Sequence, residues 1–561
     1  MPQITPFNQP SPVLANQYLD DRVLRSYLRR RLPHDIFIDV EPSLHAMGAA
    51  ASETLYRLQQ EHRLFTPHHI PFDAWGNRID HIVVSPFWKY CEQFAAEHGL
   101  VAAAYDTPYR EFSRLYQFAL VYLFHPSTDV YTCPLAMTDG AARTLLRSGN
   151  TQLIERAVPH LTSRNPDTFW TSGQWMTEST GGSDVGQTET VAEQDSNGTW
   201  RLYGRKWFTS AVTSQIALTL ARPTGNPSGG DGLALFYVEL RNDAGQLQNI
   251  TVQRLKDKLG TKQLPTAELL LHGTPAIPVY DTRNGIRNIV PMLHITRTWN
   301  SVCAISFMRR GIALARDYAR KRYTFGSLLS KKPLHADTLA SMQAEFEAAF
   351  HLVFFTVSLL GKDEAHTATD DERRLFRILS SIAKLTSGKQ GVALTSETVE
   401  SFGGAGYVED TGIATLLRDA QVLPIWEGTT NVLALDTLKS LSNGGLELLY
   451  EQIHRLCAGL RDKRLQACGN RALQAIQHTM EFVQQCVHSA TSVQLEASAR
   501  RIAFTLGRAL ALALLADHAE WSLAHESDER PRAAACRFAQ QGVDMIESFN
   551  LDETFALAHE V

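Results

Sequence analysis

The stretch ETVAEQDSNGTWRLYGRKWFTS, residues 189–210, decides the fold. Apolar and polar residues alternate in short runs on either side of Asn197-Gly198, a pair that turns one strand back onto the next. Four further strand-like runs follow: QIALTLARP (215–223), GLALFYVEL (232–240), ITVQRL (250–255) and TAELLLHG (266–273). We read residues 168–283 as a small all-β domain. On both sides the apolar period is helical. Residues 1–167 carry it in segments such as SLHAMGAAASETLYRLQQEH (43–62). From 284 to 440 it spans four segments, 285–321, 335–361, 370–402 and 428–440, with short connections that predict a bundle. SLSNGG (440–445) reads as a hinge, and 441–561 as an appended helical domain. The fold class is mainly α with an inserted β domain. Such an insertion points to a site where the blocks meet.

Composition bounds the function. The 561 residues are 44% hydrophobic and 20% charged, with a net charge of −5. Strong attraction to nucleic acid or anionic membrane needs concentrated positive charge, which this balance does not supply. Seven cysteines lie scattered, with no CxxC pair, which reads as free thiols in a reducing compartment. MPQITPFNQPSPV has no basic patch followed by an apolar core, so no secretory signal is expected. The apolar runs, such as Ala509 to Ala516, are too short to span a bilayer. A cytoplasmic protein is expected. No HExxH, P-loop, GxSxG or metal-spaced Cys/His set occurs, so no metal is expected. His68-His69 sits in what reads as a Pro-bounded surface loop.

Five strings stand out. WMTESTGGSDVG (175–186) has glycines that admit close approach of a flat or anionic ligand, or is simply a polar surface loop. GRKWFTS (204–210) is a strand with aromatic residues. RKRYTFG (320–326) ends a helix, where cations are favoured for electrostatic reasons alone. ESFGGAGYVED (400–410) reads equally as a glycine-rich helix cap. LPIWEGTTNV (423–432) sets an acid, Glu427, in an apolar run. The residue-level reading places it in the first turn of a helix beginning near Thr429.

In this order the strings resemble the motifs of the acyl-CoA dehydrogenase family, over roughly residues 50 to 440. FNQPSP near the N-terminus and the long extension resemble its AidB-like subgroup. The resemblance implies an N-terminal helical domain, a middle β-barrel, a C-terminal four-helix bundle and an extra helical domain. It implies FAD as cofactor. Met176, Thr177, Gly182 and Ser183 would cover the flavin, with Ser183 also contacting the acyl-CoA. Phe208 would flank the ring and Ser210 would face flavin N5. Arg322 would reach the pyrophosphate of a neighbouring subunit's cofactor, so a homo-oligomer, dimer or tetramer, is implied. Gly403, Gly404 and Gly406 would pack on the adenine end of a cofactor, and Phe325 and Glu400 are implied to bind cofactor as well. Thr429 and Asn431 would contact the flavin rather than cap a helix. Arg297 of HITR (294–297) and Gly428 would contact the substrate. His294 stands where an acid is usual, Thr415 where a basic residue is, and Trp175 where a small one is. The resemblance makes Glu427 the catalytic base.

Desaturating an acyl thioester removes a proton and a hydride, and no side chain accepts a hydride, so a flavin must. The base must lie at the α carbon and the thioester oxygen must be held. Ile425 and Trp426 are expected to desolvate Glu427 and raise its basicity. Its backbone N–H would hold the developing enolate oxygen, as the resemblance implies. The leading reading is an FAD-dependent acyl-CoA dehydrogenase acting in fatty acid metabolism. A second is an AidB-like flavoprotein that mainly binds DNA or a protein. From 441 onward 11 Lys/Arg face 15 Asp/Glu, which disfavours DNA. A third is an oxidase of the same fold.

Overall fold

The computed structural model describes residues 9–442, 444–488 and 492–560. Phe7 and Asn8 of FNQPSP, and Asn443 of SLSNGG, lie outside them. The chain forms two compact units. One holds Asn16–Tyr18 and Ile38–Cys303, the other the residues up to Ala15, Leu19–Phe37 and Ala304 onward. The division falls within the long helix Val290–Lys321.

The first unit opens with helices His34–Ser52 and Thr54–His62. A hairpin follows, β1 (His68–Phe72) and β2 (Arg78–Val83), where only a loop was expected. His69 is part of a strand, and its Nε2 lies 2.8 Å from Asp80 Oδ1. Helices then run to Leu161. The β module consists of β3 (Ser172–Trp175), β4 (Val191–Gln194), β5 (Trp200–Ser210), β6 (Ile216–Pro223), β7 (Ala234–Glu239), β8 (Ile250–Leu255) and β9 (Thr266–Pro278). Their order is β3-β6-β4-β5-β9-β7, and β6 also pairs with β7, so the sheet closes on itself as a barrel. Strand β8 adds to β9. The loop at Asn197-Gly198 runs from Asp195 to Thr199, and Gly198 takes the left-handed φ of +80° that the turn requires. Trp175, Leu202, Ala217, Phe236, Val252 and Leu269 fill the interior. Burial of the large Trp175 there explains why a small residue is not needed at that position.

The second unit is helical. Helix Asp370–Ser401 starts in a capping box, Thr369 accepting from the Glu372 N–H and Glu372 accepting from the Thr369 N–H. It packs against Pro333–Glu364, Thr430–Leu441 and a short helix, Ile413–Ala420, that periodicity did not reveal. The extension is built into this bundle rather than hung from it. Its helix Ala499–His525 packs on Pro333–Glu364, Asp370–Ser401 and Thr430–Leu441 as well as on Lys463–His488. Gly507 allows that approach: a Cβ there would lie 2.5 Å from Thr386 Oγ1. Arg508 also pairs with Glu345 at 2.7 Å. Helices Pro333–Glu364 and Ala499–His525 do have the length and apolarity to cross a bilayer. Both are mostly buried in this unit, which accounts for their apolar character.

Candidate active site

The loop after β3 is fastened to β5. The Trp207 N–H donates to the Thr177 carbonyl at 3.0 Å. Glu178 turns inward and is buried with Lys206, Oε1 to Nζ 2.7 Å. Its carboxylate also accepts from the Glu189 N–H at 2.6 Å, and Lys206 donates to the Leu220 carbonyl at 2.8 Å. Burial alone would raise the Glu178 carboxyl, but the Lys206 charge and these hydrogen bonds outweigh it and hold it below the usual carboxylate range. Burial lowers the Lys206 ammonium, and the Glu178 charge opposes that. The loop then doubles back. Gly182 packs on Thr177 so closely that a Cβ would lie 2.7 Å from its Oγ1. Met176 is buried, while Gly182 and Ser183 are exposed.

A β-bulge presents Phe208. Lys206 pairs with Leu269 and Thr209 with Ala267, so Trp207 and Phe208 together oppose Glu268. Lys206 and Thr209 can therefore both point into the barrel, and Phe208 is left 55% exposed. Lys256 Nζ lies 3.5 Å from the Trp207 ring centre and 4.7 Å from that of Phe208. Ser210 Oγ lies 3.1 Å from Thr266 Oγ1. Met176, Thr177, Gly182, Phe208 and Ser210 thus belong to one fastened rim. Arg297 lies half-buried on helix Val290–Lys321 in the same compact unit.

Glu427 belongs to the second unit and precedes its helix. The helix runs Thr430–Leu441, and Thr429 is its N-cap, accepting from the Val432 N–H at 3.5 Å. Two expectations are corrected here: Glu427 is outside the first turn, and Thr429 does cap. The cap uses the Thr429 oxygen as acceptor and leaves its proton to donate elsewhere. Glu427 has φ +59° and Gly428 φ +103°. A non-glycine residue held left-handed stores roughly 1–3 kcal/mol and persists only where its surroundings enforce it. Helix Asp370–Ser401 enforces it here. Lys384, fully buried, donates to the Gly428 carbonyl at 2.6 Å. One turn on, Gly388 lets the backbone of Leu423 and Pro424 approach: a Cβ would lie 3.3 Å from Leu423 C and O. The apolar surround expected of Ile425 is not found, because that side chain is 59% exposed. Asn431 Oδ1 accepts from Arg500 Nη1 at 3.3 Å.

The remaining residues gather at the other end of the same helix. Gly388 and Ser401 are roughly 20 Å apart along it, at 1.5 Å per residue. Gly403 is left-handed, φ +60°, and its N–H donates to the Glu400 carbonyl at 2.8 Å, as a C-cap glycine does. At Gly406 a Cβ would lie 2.0 Å from the Val399 carbonyl oxygen, whereas Gly404 faces open space. Phe402 stacks on Tyr318 with centroids 4.5 Å apart. That contact brings the Glu400–Gly404 segment to the helix end that carries Arg322 and Phe325. Arg322 donates to Gln9 at 3.3 Å, and Phe325 is 94% exposed with φ +46°. Thr415, which stands where the family has a basic residue, accepts from Arg418 at 3.2 Å, and Arg418 also pairs with Glu409.

Family models match along nearly the whole chain. Residues 8–168 match the adaptive response protein AidB N-terminal domain, and 173–274 the acyl-CoA dehydrogenase middle domain. Residues 283–441 match the acyl-CoA dehydrogenase C-terminal domain, and 446–554 an acyl-CoA dehydrogenase 11 C-terminal domain-like model. The chain belongs to the acyl-CoA dehydrogenase family. That family is FAD-dependent and its members are oxidoreductases. Acyl-CoA dehydrogenase family member 11 of Caenorhabditis elegans is 43% identical over 538 residues, covering 93% of this chain and 87% of that one. Putative acyl-CoA dehydrogenase AidB of Escherichia coli is 30% identical over 462 residues, 80% and 82% of the two chains. The crystal structure of C. elegans ACDH-11 in complex with C11-CoA superposes with a TM-score of 0.94 at 40% identity, covering 99% and 96%. The AidB-like acyl-CoA dehydrogenase fold, with its extra helical domain, is therefore this chain's fold.

Sequence reasoning missed Glu178, Lys206, Lys384, Gly388 and Arg500. For Lys384 a signal was present: in LSSIAKLTSGKQG it lies directly between Ala383 and Leu385, four residues before Gly388.

Proposed function

We propose that this chain desaturates an acyl-CoA thioester at its α and β carbons, with Glu427 as the base. The observation that carries this reading is a carboxylate in a strained left-handed conformation, on a loop gripped by Lys384 and Gly388. Such enforced strain is typical of functional positions. In the reaction the Glu427 carboxylate takes the α proton, and its own backbone N–H donates to the oxygen that becomes enolate. Preorganised donors of this kind contribute roughly 3 kcal/mol. Gly428 and Arg297 position the thioester, and Ser183 bonds the CoA portion.

The chain's residues fit FAD. A large exposed aromatic, Phe208, stands beside a loop whose Gly182 a side chain would obstruct, with hydroxyls at Thr177 and Ser210 to bond a polar ring edge. When bound, FAD supplies the hydride acceptor that side chains lack. Met176 and Phe208 would pack on its ring, and Thr177, Ser183, Ser210, Thr429 and Asn431 would bond it. Arg322, Phe325, Glu400, Gly403 and Gly404, some 20 Å along the helix from the Glu427 loop, would serve a neighbouring subunit's cofactor. A homo-oligomer, at least a dimer, follows from this reading. The exposure of Tyr323, Phe325 and Tyr407 supports it. An acyl-CoA substrate is supported by the C11-CoA complex of the C. elegans relative.

The test is a visible spectrum of the purified protein, then titration with acyl-CoAs of increasing length. A flavin spectrum that bleaches with one range of chain lengths is expected. A protein that stays colourless after incubation with FAD contradicts the reading.

A further inference from the structure

The extension reaches the loop assigned to the cofactor. Arg500, the second residue of helix Ala499–His525, is exposed and donates to Asn431 at 3.3 Å. The contact is held in place from beneath. Leu433 and Ala434, in the first turn or so of helix Thr430–Leu441, share one apolar cluster with Ala499, Ala503 and Leu385. Two helices thus begin side by side, and each brings partial positive charge to its first turn. Among the described residues Arg500 has no carboxylate partner, unlike Arg501, 4.0 Å from Glu547, and Arg508, 2.7 Å from Glu345. A second polar group at the same helix start is unmet. The Ser498 hydroxyl is 1% exposed, does not cap the helix and has no hydrogen-bond partner among the described residues.

An exposed guanidinium beside a cofactor-facing amide suits an anion. In FAD the ring, the ribityl chain and the adenosine are neutral, and only the diphosphate is charged. A guanidinium bonds two phosphate oxygens at once, and helix starts add backbone donors. We propose that Arg500 is a cofactor-binding residue supplied by the extension, which bonds a phosphate oxygen of FAD next to Asn431. This rests on the assignment of Thr429 and Asn431 to the cofactor. It also gives the extension a role in the active holoenzyme: FAD bound there stabilises the docked extension by mass action.

The test uses the full-length protein and its Arg500→Ala, Arg500→Lys and Arg501→Ala variants, freed of flavin. FAD and riboflavin affinities are read from flavin fluorescence at low and moderate salt. Arg500→Ala should weaken FAD on the order of tenfold or more. It should flatten the salt dependence and leave riboflavin affinity and the melting temperature unchanged. Arg500→Lys should recover part of the loss, and Arg501→Ala should match wild type. If wild type binds FAD and Arg500→Ala binds it equally well, Arg500 does not touch the phosphates, while the cofactor assignment stands. Equal weakening toward FAD and riboflavin also overturns the phosphate contact. If wild type takes up no FAD at all, both this inference and the reading beneath it fall.

Discussion

Lys206 Nζ lies 2.7 Å from Glu178 Oε1, with both side chains cut off from solvent, and this pair ties the loop after β3 to the bulged strand β5. Removing one partner strands the other's charge in the barrel. Lys206→Met should lower unfolding stability by about 3–5 kcal/mol. The double change Glu178→Gln, Lys206→Met should recover part of that, since no lone charge is then left. Urea unfolding of wild type, Lys206→Met and the double variant checks this. Equal stability of wild type and Lys206→Met would contradict the account.

With Glu427 as the proposed base, Lys384 acts as a positioning residue. Its ammonium bonds the Gly428 carbonyl at 2.6 Å, and Gly428 follows Glu427 directly. In Lys384→Met the loop should relax from its left-handed shape. Small misplacements of a catalytic group cost up to about a hundredfold in rate. We expect kcat to fall by tenfold or more in protein that still carries flavin, with partial rescue by Lys384→Arg. A merely structural lysine would lower Tm and yield while leaving kcat per bound flavin unchanged.

His351 and His518 predict a specific acid sensitivity. Their rings lie 4.5 Å apart in the helical unit, and His518 Nε2 is 3.0 Å from Ser26 Oγ. Burial first, then for His351 the neighbouring His518, and for both the Arg30, Arg31 and Arg22 charges, push them well below the usual imidazole range. The folded protein therefore resists protonation that the unfolded chain accepts near pH 6.5. Stability from this source is complete above that value and falls as pH drops below it, by up to about 1.4 kcal/mol per pH unit for each ring. Urea unfolding at pH 7.5 and 5.5 should show the loss, and His518→Gln should shallow it. A stability unchanged between these pH values would contradict neutral buried rings.

Duplex DNA should not bind. Beyond residue 441 the acids outnumber the bases, 15 to 11. Arg508, Arg530, Arg532 and Arg537 are already paired with carboxylates. Little concentrated positive charge remains to displace counterions. A gel shift at low salt should be negative, and a salt-dependent shift would revive the DNA-binding reading.

What was legible in the sequence was what a local period encodes. The strands around Asn197-Gly198 and the four bundle helices follow directly from spacings of two and of three to four. Strand β1 escaped because HHIPF is short and carries Pro71, which belongs at an edge. Helix Ile413–Ala420 escaped because its 8 residues are too few for the helical period to show. The motif strings named candidate site residues without their conformation. No pattern in IWEGTTN says that Glu427 is left-handed, since that follows from Lys384 and Gly388 some forty positions earlier. The docking of helix Ala499–His525 on the bundle, and with it the Arg500 contact, is a product of long-range packing that composition does not carry.

The central claim is that Glu427 removes the α proton. Its direct test is rapid mixing of flavin-loaded wild type and Glu427→Gln with a saturating acyl-CoA, following flavin absorbance. The variant should bind FAD and acyl-CoA as wild type does, yet bleach at least about a hundredfold more slowly, the scale of general-base contributions. Bleaching at the wild-type rate would show that another group takes the proton.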